Sequence, residues 1–430
     1  MIQELRIKNF LSFKDEVVFS FEATKDTTFE EYHLIEVAPG MRLLRFAVVY
    51  GANASGKSNL LGAFDFLSDF WFENRKDADE ETGTVPFLLD KFAPGEPSFL
   101  SLKFYVDNTR YWYILEADEH VVHSEKLLYY TSVQPTLIFE RYLENGVSVV
   151  DFNQAAAKVS TTARENINLK CLPNMSVFAA RNQVNISIPV MDAARDWMKN
   201  SFMPVVKPRF RLFNFAETQL HTDKLFKPQV LQFICEADFN ISNVETQLVK
   251  QNVPQNFLDF LLTDDEINTE EKERIKAEKS IQRIKTDFEQ TVSNERGTEK
   301  YMLSEERQSD GTHRIFGIEA AIYKALKQNG FLYIDEIESS LHPRLVEFVL
   351  KKFLEVKNNR AQLLVTTHYD PLLNEVGELF RKDCVWFTEK NQSGATELYS
   401  LVEFSRLNRI SSLQKAYRQG NFGAIPKVNI

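Results

Sequence analysis

The chain has 430 residues, too many for one average domain and too few for more than three, so two lobes around a sheet-based core are expected. Hydrophobic residues make up 43% and charged ones 26%, with 15 glycines and 14 prolines, a balance that excludes disorder and collagen-like repeats. Against 51 Lys+Arg stand 61 Asp+Glu, a formal charge of −10, which excludes a dedicated polycationic nucleic-acid binder but leaves room for a local basic groove.

Residues 1–22 read as a hairpin: Leu5, Ile7 and Phe10 alternate in its first strand and Val17, Phe19 and Phe21 in its second, around a turn at Ser12 to Asp15. The opening MIQELRIKNF mixes charged with apolar side chains and offers no signal core. With no apolar run long enough to span a bilayer, a soluble, cytoplasmic protein is expected. The run Leu43 to Tyr50 is a continuous apolar strand ending on Gly51, as a buried parallel strand feeding a loop would. A helix from Lys57 to about Phe72 follows, with Leu60, Leu61, Phe64, Phe66 and Leu67 on its apolar face. Phe99 to Ala117 and Val121 to Tyr130 suit antiparallel strands broken at Asp107-Asn108.

From about 152 to 290 the pattern turns helical, which predicts an inserted lobe. Its last part, Asp264 to Gln290, is dense in Glu and Lys, with Ile267, Ile275, Ile281, Ile284 and Phe288 as sparse apolar positions. It fits a solvated helix better than a coiled coil. Beyond residue 298 regular α/β structure returns: a helix at Phe316 to Lys327, a strand at Gly330 to Ile334, a helix at Pro343 to Leu354 and a strand at Gln362 to Thr366. The expected class is α/β, with a parallel-sheet core, an antiparallel β subdomain and an inserted, mainly α-helical lobe. The segments are 1–150, 151–297 and 298–430. Cys171, Cys235 and Cys384 lie far apart with no CxxC pair and read as buried thiols in a reducing compartment.

Two strings carry chemistry. Gly51-Ala52-Asn53-Ala54-Ser55-Gly56-Lys57-Ser58 fits GxxxxGK[ST] directly after an apolar strand and at the opening of a helix. The glycines let backbone N–H groups turn inward around phosphate oxygens, and the helix N-terminus adds a favourable dipole. Lys57 brings a point charge to the β/γ-phosphates of ATP, and Ser58 brings a hydroxyl to Mg²⁺. Asn53, Ala54, Ser55 and Asn59 complete the nucleotide-binding set. Phe331 to Ile334 is an apolar run ending in Asp335 and Glu336, so the acids emerge at the C-terminal end of a buried parallel strand. Asp335 is the Mg²⁺ ligand expected there, and Glu336 the general base for an attacking water. In VKPRFRLF, Lys207, Arg209 and Arg211 alternate like one strand face with aromatics between them, a candidate nucleic-acid contact.

The string Ile337-Glu338-Ser339-Ser340-Leu341-His342-Pro343 resembles the loop after the acid strand in ATP-binding-cassette-type ATPases of the SMC and RecF kind. Gln308-Ser309-Asp310-Gly311-Thr312 resembles their signature motif, and Thr366-Thr367-His368 their switch histidine. The resemblance implies a P-loop ABC/SMC-like ATPase head that hydrolyses ATP. It further implies that Ser309 and Gly311 meet the γ-phosphate of a nucleotide held by the opposite subunit and that His368 senses it, and hence a homodimer or higher even oligomer. The chain departs from the family in having no Gln between Leu60 and Gln134, where a Gln loop is usual, a Ser-Asp-Gly signature in place of Ser-Gly-Gly, and no long coiled coil.

IKNFLSFKDEVVFSFEA, GANASGKSNL, SDGTHR, IDEIESSLHP and YRQGNFGAIP look most like the compact RloA and AbiL type ATPases of prokaryotic phage-defence loci. That likeness implies a sensor or regulator working with a separate TOPRIM-type nuclease, and the stretch after His368 is expected to be too short for a fused nuclease domain. A RecF-like DNA-binding repair ATPase is the alternative.

Overall fold

The computed structural model describes residues 1–237, 240–252, 272–273 and 280–426. The chain forms two compact units, one of Met1–Arg209, Lys324–Ser339 and Val346–Ile430, the other of Phe210–Tyr323 and Ser340–Leu345. The chain passes between the units at 209/210, 323/324, 339/340 and 345/346, where the sequence suggested segment boundaries at 150/151 and 297/298. The reason lies in aromatic packing: Phe178 stacks on Trp71 at 3.9 Å and Trp197 on Phe104 at 4.3 Å, which holds helices Val177–Asn182 and Pro189–Ser201 within the larger unit.

In the larger unit the chain enters through β1 (Ile2–Lys8) and β2 (Val17–Ser20), passes the hairpin β3 (Leu34–Ala38) and β4 (Met41–Leu44), and reaches β5 (Phe46–Tyr50). The single strand expected from Leu43 to Tyr50 is broken at Arg45. Its buried guanidinium donates to the carbonyls of Tyr32 and Val356 at 3.0 and 2.6 Å. After helix Lys57–Phe70 come β6 (Ser98–Val106), β7 (Thr109–Ala117), β8 (Val122–Tyr130), β9 (Pro135–Glu144) and β10 (Val147–Phe152). They join the first two strands in an antiparallel sheet ordered β10-β9-β8-β7-β6-β1-β2, with the turn at Asp107-Asn108 where expected.

In the smaller unit, helices Phe213–Thr222 and Phe226–Glu236 precede an antiparallel sheet of β11 (Ile241–Asn252), β12 (Ser280–Asn294) and β13 (Gly297–Ser304). The solvated helix expected up to Gln290 is therefore strand from Ser280 onward; Ile267 and Ile275 lie outside the described residues. Thr286 and Phe288 point inward at a period of two, Phe288 against Phe213 and Phe316, while charged Lys285, Asp287 and Glu289 take the intervening positions. The density of Glu and Lys masked that alternation.

The second sheet of the larger unit carries β14 (Phe331–Ile334), β15 (Gln362–Thr367), β16 (Val385–Lys390) and β17 (Thr396–Ser400), ordered β14-β15-β5-β16-β17. The first four in that order are parallel, and the three central to the site (β14, β15 and β5) are buried throughout, as their unbroken apolar runs require. Cys171 and Cys384 are buried as expected, but Cys235 is exposed, near the end of its helix. Residues 207–211, read above as a strand face, form an irregular turn; Pro208 removes the N–H a strand would need there. Among the described residues no helix is long and apolar enough to cross a membrane.

Candidate nucleotide-binding site

β5 delivers Gly51 at its C-terminal end, between β15 and β16. A Cβ on Gly51 would lie 2.5 Å from Thr388 Oγ1 and 2.6 Å from the Thr388 carbonyl, so close approach requires glycine there. Ala54 at φ +61° and Gly56 at φ +111° then turn the chain into helix Lys57–Phe70. Gly56 is the N-cap of that 14-residue helix, no side chain caps it, and its first turn holds no acidic residue. Its first N–H groups and the positive end of its dipole are thus suited to an anion.

Hydroxyl groups from distant strands brace the loop. Ser55 Oγ and Thr388 Oγ1 are 2.7 Å apart, and Thr396 Oγ1 donates to the Ser55 carbonyl at 2.9 Å, with Ser12 Oγ 2.8 Å away. Lys57 is buried, and its Nζ donates to the carbonyls of Gly51 and Ala52 at 2.8 and 3.1 Å. Burial pushes its ammonium below the ordinary lysine value, opposed by the carboxylates of Asp335, Glu336 and Glu338.

β15 alone separates β14 from β5, so the acids that follow β14 come close to the loop. Ser58 Oγ donates to Asp335 Oδ2 at 2.7 Å. Thr366 Oγ1 donates to Asp335 Oδ1 at 2.5 Å and accepts the Glu336 N–H at 2.9 Å. Glu336 sits at φ +47°, a left-handed residue directly after the strand's buried acid. Two residues on, Glu338 accepts the Thr367 hydroxyl and the His368 N–H, both at 2.8 Å. His368 lines a cleft of 830 Å³ together with Gly51, Ala52 and Asn53, and Tyr417 and Arg418 of the C-terminal segment form another part of its wall. No glutamine lines it among the described residues.

Lys57, Ser58, Asp335, Glu336 and His368 all belong to the larger unit, whereas Ser309 and Gly311 belong to the smaller one. Ser309 Oγ accepts the Thr312 N–H at 3.1 Å and so caps helix Asp310–Gln328; at Gly311 a Cβ would lie 3.1 Å from the Ser340 carbonyl. Sequence reasoning missed Thr366 and Glu338, both inside quoted strings but given no role. It also missed Thr388 and Thr396, which no local motif marks.

A strand–loop–helix phosphate loop, with an acid strand one position removed in a parallel sheet, defines a P-loop nucleotide-binding protein. The chain belongs to the family described as "AAA domain, putative AbiEii toxin, Type IV TA system", which matches residues 46–165 and 194–374. No curated protein matches the chain. Among solved structures it is similar to the SMC head domain from Thermotoga maritima, at 12% identity and a TM-score of 0.39, over 93% of this chain and 98% of that one. It is also similar to an SMC head bound to the C-terminal winged-helix domain of ScpA, at 14% identity and a TM-score of 0.43, over 96% and 99%. A third likeness is to an Smc head with an extended coiled coil bound to the C-terminal domain of ScpA derived from Pyrococcus furiosus, at 12% identity and a TM-score of 0.40, over 98% of each chain.

Proposed function

We propose that this protein binds and hydrolyses ATP at sites formed between two copies of the chain, and that ATP-dependent dimerisation lets it act as a sensor or regulator in bacterial antiphage defence, controlling a separate TOPRIM-type nuclease. The observation that carries the ATPase reading is the contact of Ser58 Oγ with Asp335 Oδ2, because it joins the phosphate-loop hydroxyl to the acid-strand carboxylate. The family description, which names a toxin of a toxin–antitoxin system, supports the defence setting.

Ser58 and Asp335 offer hard oxygen donors, and among the described residues no cluster of three or more His, Cys, Asp or Glu forms a self-sufficient metal cage. That donor set fits Mg²⁺, which Ser58 and Asp335 would hold and which would neutralise phosphate charge there. The loop N–H groups and Lys57 bind and orient the β/γ-phosphates. Glu336 takes the proton of the attacking water, and His368 contacts the γ-phosphate. Ser309 and Gly311, at the start of their helix, serve the nucleotide of the opposite subunit. The RecF-like reading loses its main support because Lys207, Arg209 and Arg211 do not share a strand face.

The test is ATP hydrolysis against protein concentration, for wild type and Glu336→Gln, with mass measured in parallel. Specific activity that rises with concentration, and a mutant that accumulates as an ATP-bound dimer or larger even assembly, are expected. Flat activity with a monomeric mutant would remove the composite site.

A further inference from the structure

Glu338 hydrogen-bonds two groups at the end of β15 and lies within ion-pair distance of a third. Its Oε2 accepts the Thr367 hydroxyl at 2.8 Å, its Oε1 accepts the His368 N–H at 2.8 Å, and Nδ1 of the His368 ring lies 3.0 Å from that same Oε1. The carboxylate is 12% exposed and the imidazole 55% exposed. A largely covered acid therefore holds the backbone, and lies beside the ring, of a histidine that is otherwise open to solvent at the cleft.

These contacts continue a pattern. The parallel register of β14 and β15, with Ile334 opposite Val365, runs past the strand ends as a side-chain ladder: Asp335 to Thr366, then Glu338 to Thr367 and His368. Glu338 lies two residues beyond Glu336, so one short piece of backbone carries both the proposed base and the anchor of the switch.

We infer that Glu338 is a positioning residue for His368, setting the ring so that its second nitrogen is available to a phosphate in the cleft. The inference rests on the ATPase reading above. With Nδ1 engaged by the carboxylate, Nε2 is the ring nitrogen left to bond a ligand. An exposed imidazole without that anchor spreads over its rotamers, and only the fraction in the right one contributes to the transition state. ATP itself is held by the loop and Lys57, so the loss falls on kcat and leaves KM nearly unchanged.

The experiment is a double-mutant cycle on ATP hydrolysis in the full-length protein, using Glu338→Ala, His368→Ala and the pair, with Lys57→Ala to mark turnover as belonging to this site. Glu338→Ala is expected to lower kcat by about 10–100-fold, the range for residues that orient a functional ligand, with KM within about twofold. In the His368→Ala background the same change is expected to alter kcat by less than about threefold, because the group it positions is already gone. Glu338→Gln, which keeps an acceptor oxygen for the His368 N–H, is expected to fall between wild type and Glu338→Ala, and it replaces Ala in the cycle if thermal melting shows that Glu338→Ala is unfolded. Equal losses in both backgrounds, or a rise in KM with kcat unchanged, would overturn the inference while leaving the ATPase reading intact. Absence of Lys57-dependent hydrolysis in the wild type would overturn that reading, and the inference with it.

Discussion

Ser58 Oγ and Asp335 Oδ2 are 2.7 Å apart although 277 positions separate them in the chain. The contact spans β15, and Thr366 of that intervening strand takes the other oxygen of the same carboxylate. Both Asp335 oxygens are thus engaged by hydroxyls, one from helix Lys57–Phe70 and one from β15. Any change in either element is felt at this acid.

Thr366→Val tests that coupling with the side-chain volume preserved. The substitution leaves Asp335 Oδ1 and the Glu336 N–H without their shared partner at a position with no solvent exposure. An unsatisfied buried group costs about 1–3 kcal/mol. Urea unfolding is expected to show a loss in that range, and ATP turnover is expected to fall more than ATP affinity, since the phosphate loop itself is untouched.

Lys57→Met separates stability from binding. Because burial lowers the ammonium's pKa, the folded state holds this proton less tightly than the unfolded chain does. The charged form therefore opposes folding at neutral pH, an effect that fades as pH rises from the folded-state value toward the ordinary lysine one. Methionine keeps the apolar stem and removes the charge. The melting temperature is expected to stay level or rise, while ATP binding by titration calorimetry is lost.

How much of this site could be read from the chain depended on sequence distance. Gly51 to Ser58 and Phe331 to Glu336 are contiguous strings, and each fell on the strand boundary its pattern demanded. The braces did not show, because Ser55 meets Thr388 and Thr396 across 333 and 341 positions and neither threonine sits in a motif. Glu338 was visible as a letter in the IESSLHP string, yet its role depends on Thr367 and His368 arriving from the next strand. The misread of Ser280 to Gln290 has a different origin. Phe288 meets Phe213 and Phe316 through tertiary packing, which overrides the helical preference of a Glu- and Lys-rich stretch.

A pH effect is expected far from the phosphate loop. Glu125, fully buried in the antiparallel sheet, accepts the Tyr113 hydroxyl at 3.0 Å and the Val177 N–H at 2.9 Å. Burial pushes its carboxyl from 4.5 up to about 7, against the opposing pull of Arg141. Between these values the unfolded chain has released the proton and the folded one still holds it, so stability falls as pH rises from about 4.5 to about 7. The full effect is on the order of 3 kcal/mol. Glu125→Gln is expected to flatten the stability profile across that interval, read by urea midpoints at pH 5 and pH 7.

Gly56→Ala and Gly40→Ala distinguish backbone strain from collision. Gly56 has φ +111° and Gly40 φ +75°, both in the left-handed region, but a Cβ at Gly40 meets nothing within 4 Å whereas one at Gly56 would strike the Thr396 side chain. Strain alone costs about 1–2 kcal/mol, and that is the loss expected for Gly40→Ala in urea unfolding, with ATP binding unchanged. Thr396 cannot withdraw freely, because its hydroxyl lies 2.8 Å from Ser12 Oγ and donates to the Ser55 carbonyl at 2.9 Å. Gly56→Ala must therefore displace the loop itself. A larger stability loss than for Gly40→Ala, with loss of ATP binding, is expected. Equal losses for the two variants with binding retained would show that the Thr396 brace yields and does not set the loop's position.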